Sequence, residues 1–136
     1  MIVIGECDLD ALLRHMKPEL RPGTFVFCTI PPGAAVPATV EPLMTFREQE
    51  GTTLVTTREE AQTAGLRFEF PSRLITLTVH SALDAVGFLA AITAHLAAAG
   101  ISVNAVSAFH HDHLLVPVDR ADEAMAVLRE ISGNAS

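Results

Sequence analysis

The sequence predicts an α+β fold in which helices cover one face of antiparallel sheets. Strand-like and helix-like patterns follow one another in short segments, and the same order of elements occurs twice along the 136 residues. The order is βαββαβ and then βαββα, which is typical of a ferredoxin-like sandwich. Repetition of one architecture within a chain predicts two tandem units. We expect an N-terminal half of residues 1–72 and a C-terminal half of residues 73–136.

The clearest elements lie between Leu74 and Gly100. Apolar and polar residues alternate over residues 74–80, which predicts a strand with one buried face. Ser81 and Asp84 have the spacing of a capping box and predict that a helix begins there, and Gly100 predicts its end. The apolar stripe of this helix consists of Ala85, Leu89, Ile92 and Leu96.

A hairpin and a last helix complete the C-terminal half. Residues 101–109 and 114–118 are apolar runs on either side of a tight turn, so they are expected to pair. Asp119 is expected to cap the following helix, and Gly133 to end it. Its buried stripe consists of Ala121, Ala124, Met125, Leu128 and Ile131.

The N-terminal half begins with a weaker version of the same order. Residues 2–4 can form a short strand, Asp8 caps a helix, and residues 24–30 form a strand. Four prolines and a glycine between Ile30 and Pro42 predict an extended loop without helix.

A second hairpin is predicted from residues 43–48 and 52–56. Thr57 and Glu60 then form a capping box for a short helix that ends at Gly65, and residues 67–70 close the half as a strand. Four phenylalanines alternate in the strands of this half and are expected in its core: Phe25, Phe27, Phe68 and Phe70.

Composition excludes several classes of protein. A net charge of −7 disfavours nucleic-acid binding. The longest nearly apolar stretch, residues 85–100, is shorter than the ~20 residues that a membrane span requires. Cys7 and Cys28 are too few for a disulfide framework, which favours the cytoplasm. No catalytic motif or cofactor-binding motif is present, and Cys28, within an apolar strand, is interpreted as a core residue rather than a nucleophile.

Three segments of the C-terminal half carry a resemblance to a known family. Residues 74–88, 100–108 and 114–124 resemble the ACT regulatory domain of the aspartokinase-like subtype. Residues 46–55 are similar to the companion half of small stand-alone bacterial proteins with two ACT-like units. The resemblance implies a non-catalytic regulatory protein that needs no cofactor. It also implies an amino acid bound at the interface between units, by the loop between the first strand and the first helix.

That loop corresponds to residues 81–88. Backbone N–H groups at a helix start can hold a carboxylate, and Asp84 can pair with a ligand ammonium group. The usual Pro-Gly pair of the family is here Val86-Gly87. The resemblance implies these ligand-binding residues: Ser81, Asp84, Ala85, Val86, Gly87, Phe88, Val103 and Asn104.

Structural interpretations of the same residues stay open. Asp84 can act as a helix cap alone, and Gly87 can serve close packing of the helix against the sheet. Asn104 can make a structural hydrogen bond, because a buried amide needs partners.

The second half lacks a segment for its last strand. Nothing after Ile131 can form it, so the first half, residues 2–4 or a second subunit must cover the sheet edge. We expect a homodimer for that reason.

Five of the six histidines lie in the C-terminal half. Strand alternation places His111 and His113 on one face, so a metal site formed by them is the alternative to a solvated turn. Short clusters of this kind often have no metal, and no second cluster supplies the other ligands.

Overall fold

The computed structural model describes residues 8–134, and for Asn134 its backbone alone. The predicted strand at residues 2–4 lies outside the described residues. The chain divides into two compact units, which differ from the two halves of the sequence. One, the inserted unit, comprises residues 23–72; the other, the discontinuous unit, comprises residues 8–22 together with residues 73–134. The fold is ferredoxin-like in two units, as predicted.

The elements are, in order, α1 (Leu9–His15), β1 (Pro18–Leu20), β2 (Phe25–Ile30), β3 (Met44–Arg47), β4 (Thr52–Thr57), α2 (Arg58–Thr63), β5 (Phe68–Leu77), α3 (Phe88–Ala98), β6 (Asn104–Ser107), β7 (Asp112–Pro117), a 3-10 helix (Val118–Arg120) and α4 (Ala121–Asn134).

The inserted unit is an antiparallel sheet with the strand order β3-β4-β2-β5. Its core is a cluster of Val26, Cys28, Ile30, Leu54 and Ala61. The four phenylalanines expected in the core are only partly buried, so that prediction was wrong. Phe25 and Phe27 alternate with Val26 and Cys28 along β2, and the strand therefore turns their rings to the face opposite the cluster. Of the four, Phe68 does pack against the cluster.

The capping box at α2 is confirmed. The Thr57 hydroxyl oxygen accepts a hydrogen bond from the Glu60 backbone N–H at 3.2 Å. The Glu60 carboxylate also accepts a 2.7 Å bond from the backbone N–H of Glu41. This bond is the main cause that lowers the pKa of the Glu60 carboxyl. Glu60 thereby joins α2 to the end of the predicted extended loop, which contains neither helix nor strand over residues 31–43.

Strand β5 is one continuous strand where two were expected. Phe27 pairs with Glu69, whereas Phe25 pairs with Ser72, so β5 carries an extra residue at this point. Phe70 has φ 57°, which is the left-handed backbone conformation that residues other than glycine rarely adopt. Such an extra residue is a β-bulge, which bends a strand without ending it. The boundary between the two units falls within β5.

The discontinuous unit has the strand order β1-β5-β7-β6. β1 pairs with β5 in antiparallel register, from Pro18 opposite Leu77 to Leu20 opposite Ile75. The N-terminal half thus supplies the strand that the C-terminal half lacks. The core contains side chains from all three helices and both central strands, among them Leu12, Met16, Ile75, Leu77, Phe88, Ile92, Leu96, Leu114, Val116, Ala124 and Leu128.

Three expectations for the C-terminal half need correction. Residues 74–77 are buried on both faces of β5, not on one, because Ile75 and Leu77 pack in the core on one face and Thr76 contacts His113 of β7 on the other. Helix α3 begins at Phe88 rather than next to Ser81. Asp119 lies within the 3-10 helix, and α4 begins only at Ala121. The buried stripe of α4 is confirmed.

Candidate functional site: the loop between β5 and α3

The loop of residues 78–87 begins against the β6–β7 hairpin. Ser81 is buried, with 8% of its surface exposed, and its hydroxyl donates a 3.0 Å hydrogen bond to Oδ2 of Asp112. Ser81 makes this contact instead of forming the predicted capping box with Asp84. Because the Ser81 side chain is directed to the hairpin, it cannot cap a helix at its own position.

Asp112 is a carboxylate at the base of this loop, and the sequence did not identify it as a site residue. It is the first residue of β7 and is 6% exposed. Its Oδ1 accepts a 2.6 Å hydrogen bond from the Ser107 hydroxyl, and its Oδ2 accepts the bond from Ser81. A carboxylate has about four acceptor sites. Asp112 therefore retains capacity to accept further donors.

A cavity of about 60 Å³ lies next to this carboxylate. It is lined by Ser81, Ala82, Leu83, Ala85, Phe88, Leu89, Ser107, Ala108 and Asp112. The N terminus of α3 borders it. The N-cap is Gly87, with φ 92°, which has no side chain to cap the helix, and within residues 8–134 no side-chain hydrogen bond caps it, in contrast to Asp8 at α1 and Thr57 at α2. Helix N termini without a side-chain cap have N–H groups ready for an anion.

The structure places the other predicted ligand residues as follows. Ser81, Ala85 and Phe88 line the cavity. Asp84 and Val86 are exposed on the loop, Val86 with 83% of its surface. Val103 packs against the core of the discontinuous unit, and Asn104 is exposed at the start of β6, opposite Leu115.

The two histidines of the alternative metal site lie on β7 and on the turn before it. The ring centroids of His111 and His113 are 6.4 Å apart. The Nδ1 atom of His111 is buried and has no hydrogen-bond partner in the described part of the chain. Within residues 8–134, no group of three or more His, Cys, Asp or Glu side chains is placed to hold a metal ion. A catalytic zinc site needs three protein ligands, and this pair has two.

His113 has a polar neighbour on β5. Its Nδ1 lies 3.0 Å from the Thr76 hydroxyl oxygen. The pKa of His113 is lowered, mainly by burial. The positive potential of His111 and Arg21 lowers it further, whereas the negative charge of Asp112 raises it. The folded protein therefore favours the neutral imidazole of His113 more than the unfolded chain does.

Cys28 is a core residue, as predicted. It is 4% exposed, and burial raises the pKa of its thiol. A raised pKa disfavours the thiolate, which is the nucleophilic form. The inserted unit contains no histidine to act as its base.

None of the helices formed by residues 8–134 has the length and apolar content needed to cross a membrane.

The strand order and core described above define a ferredoxin-like α+β protein of two units. The chain belongs to the ACT domain family: one ACT domain model matches residues 4–73, and a second matches residues 69–130. ACT domains are regulatory modules that commonly bind small molecules. Comparison with curated proteins finds no match.

Three solved structures illustrate the likeness. A protein of unknown function from Vibrio cholerae, described as a possible transport protein, is 45% identical over 91% of this chain and 95% of its own, with a TM-score of 0.82. A protein from Agrobacterium tumefaciens is 20% identical over 86% and 89% of the two chains, with a TM-score of 0.74. The regulatory subunit of aspartate kinase from Thermus thermophilus is 10% identical over 84% and 95%, with a TM-score of 0.58.

Proposed function

We propose that the protein is a non-catalytic cytoplasmic sensor that binds an amino acid at the loop of residues 81–88. The observation that carries this proposal is the buried Asp112 carboxylate, which shares one cavity with the N terminus of α3, where the N-cap is Gly87. Membership of a family of regulatory modules supports it.

Asp112 and the start of α3, which both line the cavity, suit the two charges of an amino acid. Asp112 attracts an ammonium group and has capacity to accept its hydrogen bonds. The N–H groups at the start of α3 carry partial positive charge and favour a carboxylate. An α-amino acid presents both charges within a few ångströms, so one ligand in this small cavity can engage both groups.

The size of the cavity limits how the ligand is held. At about 60 Å³ it accommodates the polar end of an amino acid but not a large side chain. The ligand side chain would then lie along the exposed part of the loop, where Leu83 is 68% exposed and Val86 83% exposed. Ligand contact with these residues would bury apolar surface that now faces water.

Calorimetric titration with a panel of amino acids tests the proposal, with Asp112→Asn and Gly87→Arg as site variants. Asp112→Asn removes the charge and keeps the shape, and Gly87→Arg introduces a bulky side chain at a left-handed position. We expect heat of binding for at least one amino acid with the natural chain and its loss in both variants. Glu50→Gln, in the β3–β4 turn, is the matched control and should bind normally. Absence of heat and of a thermal shift across the whole panel would refute the proposal.

A second candidate function, assembly, is favoured by an exposed apolar surface near the same loop. Leu83, Val86 and Phe109 are 68%, 83% and 67% exposed, and β6 lies at the end of the strand order. Exposed apolar side chains beside an unpaired strand edge are typical of an interface. In this alternative the loop has lost its ligand and the protein forms a homodimer. Light scattering that shows a dimer, abolished by Phe109→Ser, together with no ligand in the panel, would favour it.

A further inference from the structure

We propose a second ligand site on the inserted unit, in a groove that takes a zwitterionic α-amino acid with an apolar side chain. The groove has a volume of about 430 Å³ and is lined by Phe27, Cys28, Thr29, Thr53, Arg67 and Glu69. None of these residues belongs to the loop of residues 81–88, so this site stands independently of the function proposed above.

Strand register brings the polar and aromatic side chains of the groove to one face of the sheet. Phe27 on β2 lies directly opposite Glu69 on β5, and Thr29 lies opposite Thr53 on β4. Residues directly opposite one another, and residues two apart on one strand, project from the same face. Arg67 lies directly before β5 and lines the same groove. The face is opposite to the one formed by the side chains of Val26 and Cys28, which pack in the core cluster, so Cys28 borders the groove with its backbone.

The groove has one positive and one negative group at its rim. Arg67 and Glu69 are both exposed, and neither takes part in an ion pair among residues 8–134. Arg67 and Glu69 are two residues apart in the sequence, and two residues of extended chain span about 6.6 Å. A ligand whose carboxylate pairs with the Arg67 guanidinium and whose ammonium group pairs with Glu69 fits between them. A molecule with only one charge leaves the other group without a partner.

The aromatic wall next to Glu69 selects for an apolar ligand side chain. The rings of Phe27 and Phe70 meet edge to face, with centroids 5.9 Å apart. Phe70 reaches this position through its left-handed backbone conformation at the β5 bulge. Conformations of this kind persist where the surrounding structure fixes them, and they concentrate at ligand sites. The half-buried Phe27 ring gives the ligand side chain an apolar surface within the groove.

Titration of the ¹⁵N-labelled protein with L-phenylalanine, followed by NMR, tests this site. We expect saturable shifts of the amide signals of Phe27, Thr29 and Glu69, with a dissociation constant in the millimolar range because the groove is open. 3-Phenylpropanoate lacks the ammonium group and L-phenylalaninamide lacks the carboxylate. Each is expected to bind about fivefold more weakly, since one partly exposed ion pair contributes about 1 kcal/mol.

Four variants complete the experiment. Arg67→Gln and Glu69→Gln should each weaken L-phenylalanine binding by about fivefold, as one ion pair is lost. Arg58→Gln and Glu59→Gln are matched controls on α2, outside the groove, and should bind normally. Equal affinity for L-phenylalanine and both analogues would overturn the proposal, as would shifts confined to residues 81–88 and 107–112, which would instead support the loop site alone.

Discussion

The Ser81 hydroxyl donates a 3.0 Å hydrogen bond to the Asp112 carboxylate, although the two residues are 31 positions apart in the sequence. The bond joins the first part of the loop to the β6–β7 hairpin. Since Ser107 also donates to Asp112, one carboxylate holds the two segments that line the cavity. The position of the loop therefore depends on the hairpin as well as on its own residues.

Asp112→Ala should reduce the free energy of unfolding by about 1–3 kcal/mol. The substitution leaves the buried Ser81 hydroxyl without its acceptor, and an unsatisfied buried polar group has a cost of this size. Urea denaturation measures the loss. Glu50→Ala replaces an exposed acid in the β3–β4 turn and should change stability by less than about 0.5 kcal/mol. Equal stability of both variants and the natural chain would show that the Ser81–Asp112 bond contributes nothing.

Stability should fall as the pH is lowered below about 6.5, the ordinary histidine pKa. The folded protein lowers the pKa of His113, mainly through burial. Below the ordinary pKa the unfolded chain binds a proton that the folded chain does not, so acid favours unfolding until the pH reaches the folded pKa. Urea denaturation across this range should show that the free energy of unfolding depends less on pH in His113→Gln than in the natural chain. An NMR titration in which His113 titrates at or above its ordinary pKa would contradict the prediction.

Gly87→Ala should destabilise the protein by about 1–2 kcal/mol through the backbone alone. Gly87 has φ 92°, and an added Cβ would meet only Cδ2 of Leu9 at 3.7 Å, an ordinary contact. The loss therefore reflects the left-handed conformation rather than a clash. Asparagine tolerates this conformation better than alanine, so Gly87→Asn should lower the melting temperature less than Gly87→Ala does. Equal losses for the two variants would argue against a conformational cause.

Leu12→Ala should reduce the free energy of unfolding by about 2–5 kcal/mol, the range for large core side chains. Leu12 is 0% exposed in the core of the discontinuous unit. Leu9→Ala on the same helix is the matched control. Leu9 is 36% exposed, so this variant should lose much less unfolding free energy than Leu12→Ala. Denaturation in urea compares the two. A loss for Leu12→Ala as small as the one expected for Leu9→Ala would contradict the placement of Leu12 in the core.

Two sequence motifs of the same form had different outcomes. Thr57 and Glu60 form a true capping box, whereas Ser81 and Asp84 do not. Both pairs have the same local spacing, so local pattern cannot separate them. The difference is Asp112, a tertiary partner that takes the Ser81 hydroxyl and whose position only the folded hairpin defines. Ligand binding at the loop of residues 81–88 therefore stays a prediction, and the buried Asp112 carboxylate beside that loop was not foreseen.

The strand patterns predicted most of the fold, and their failures have a common cause. The β3–β4 and β6–β7 hairpins pair as expected, because alternation and turn residues act locally. β1 was missed, since its three residues are too few to show a period. The bulge at Phe70 was missed as well, because register against β2 creates it. Pairing with distant residues, not local preference, decided both features.

Insertion of residues 23–72 into the discontinuous unit has a consequence for synthesis on the ribosome. Residues 8–22 leave the exit tunnel early, but their partner strand in β5 is translated only after the whole insertion. Bringing residues 8–22 into contact with β5 closes a loop that contains the whole insertion, and this has an entropic cost that contacts between near neighbours in the sequence do not have. The apolar face of α1 therefore remains without its final packing partners while residues 23–72 are translated. The inserted unit, with its uninterrupted sequence, can form first.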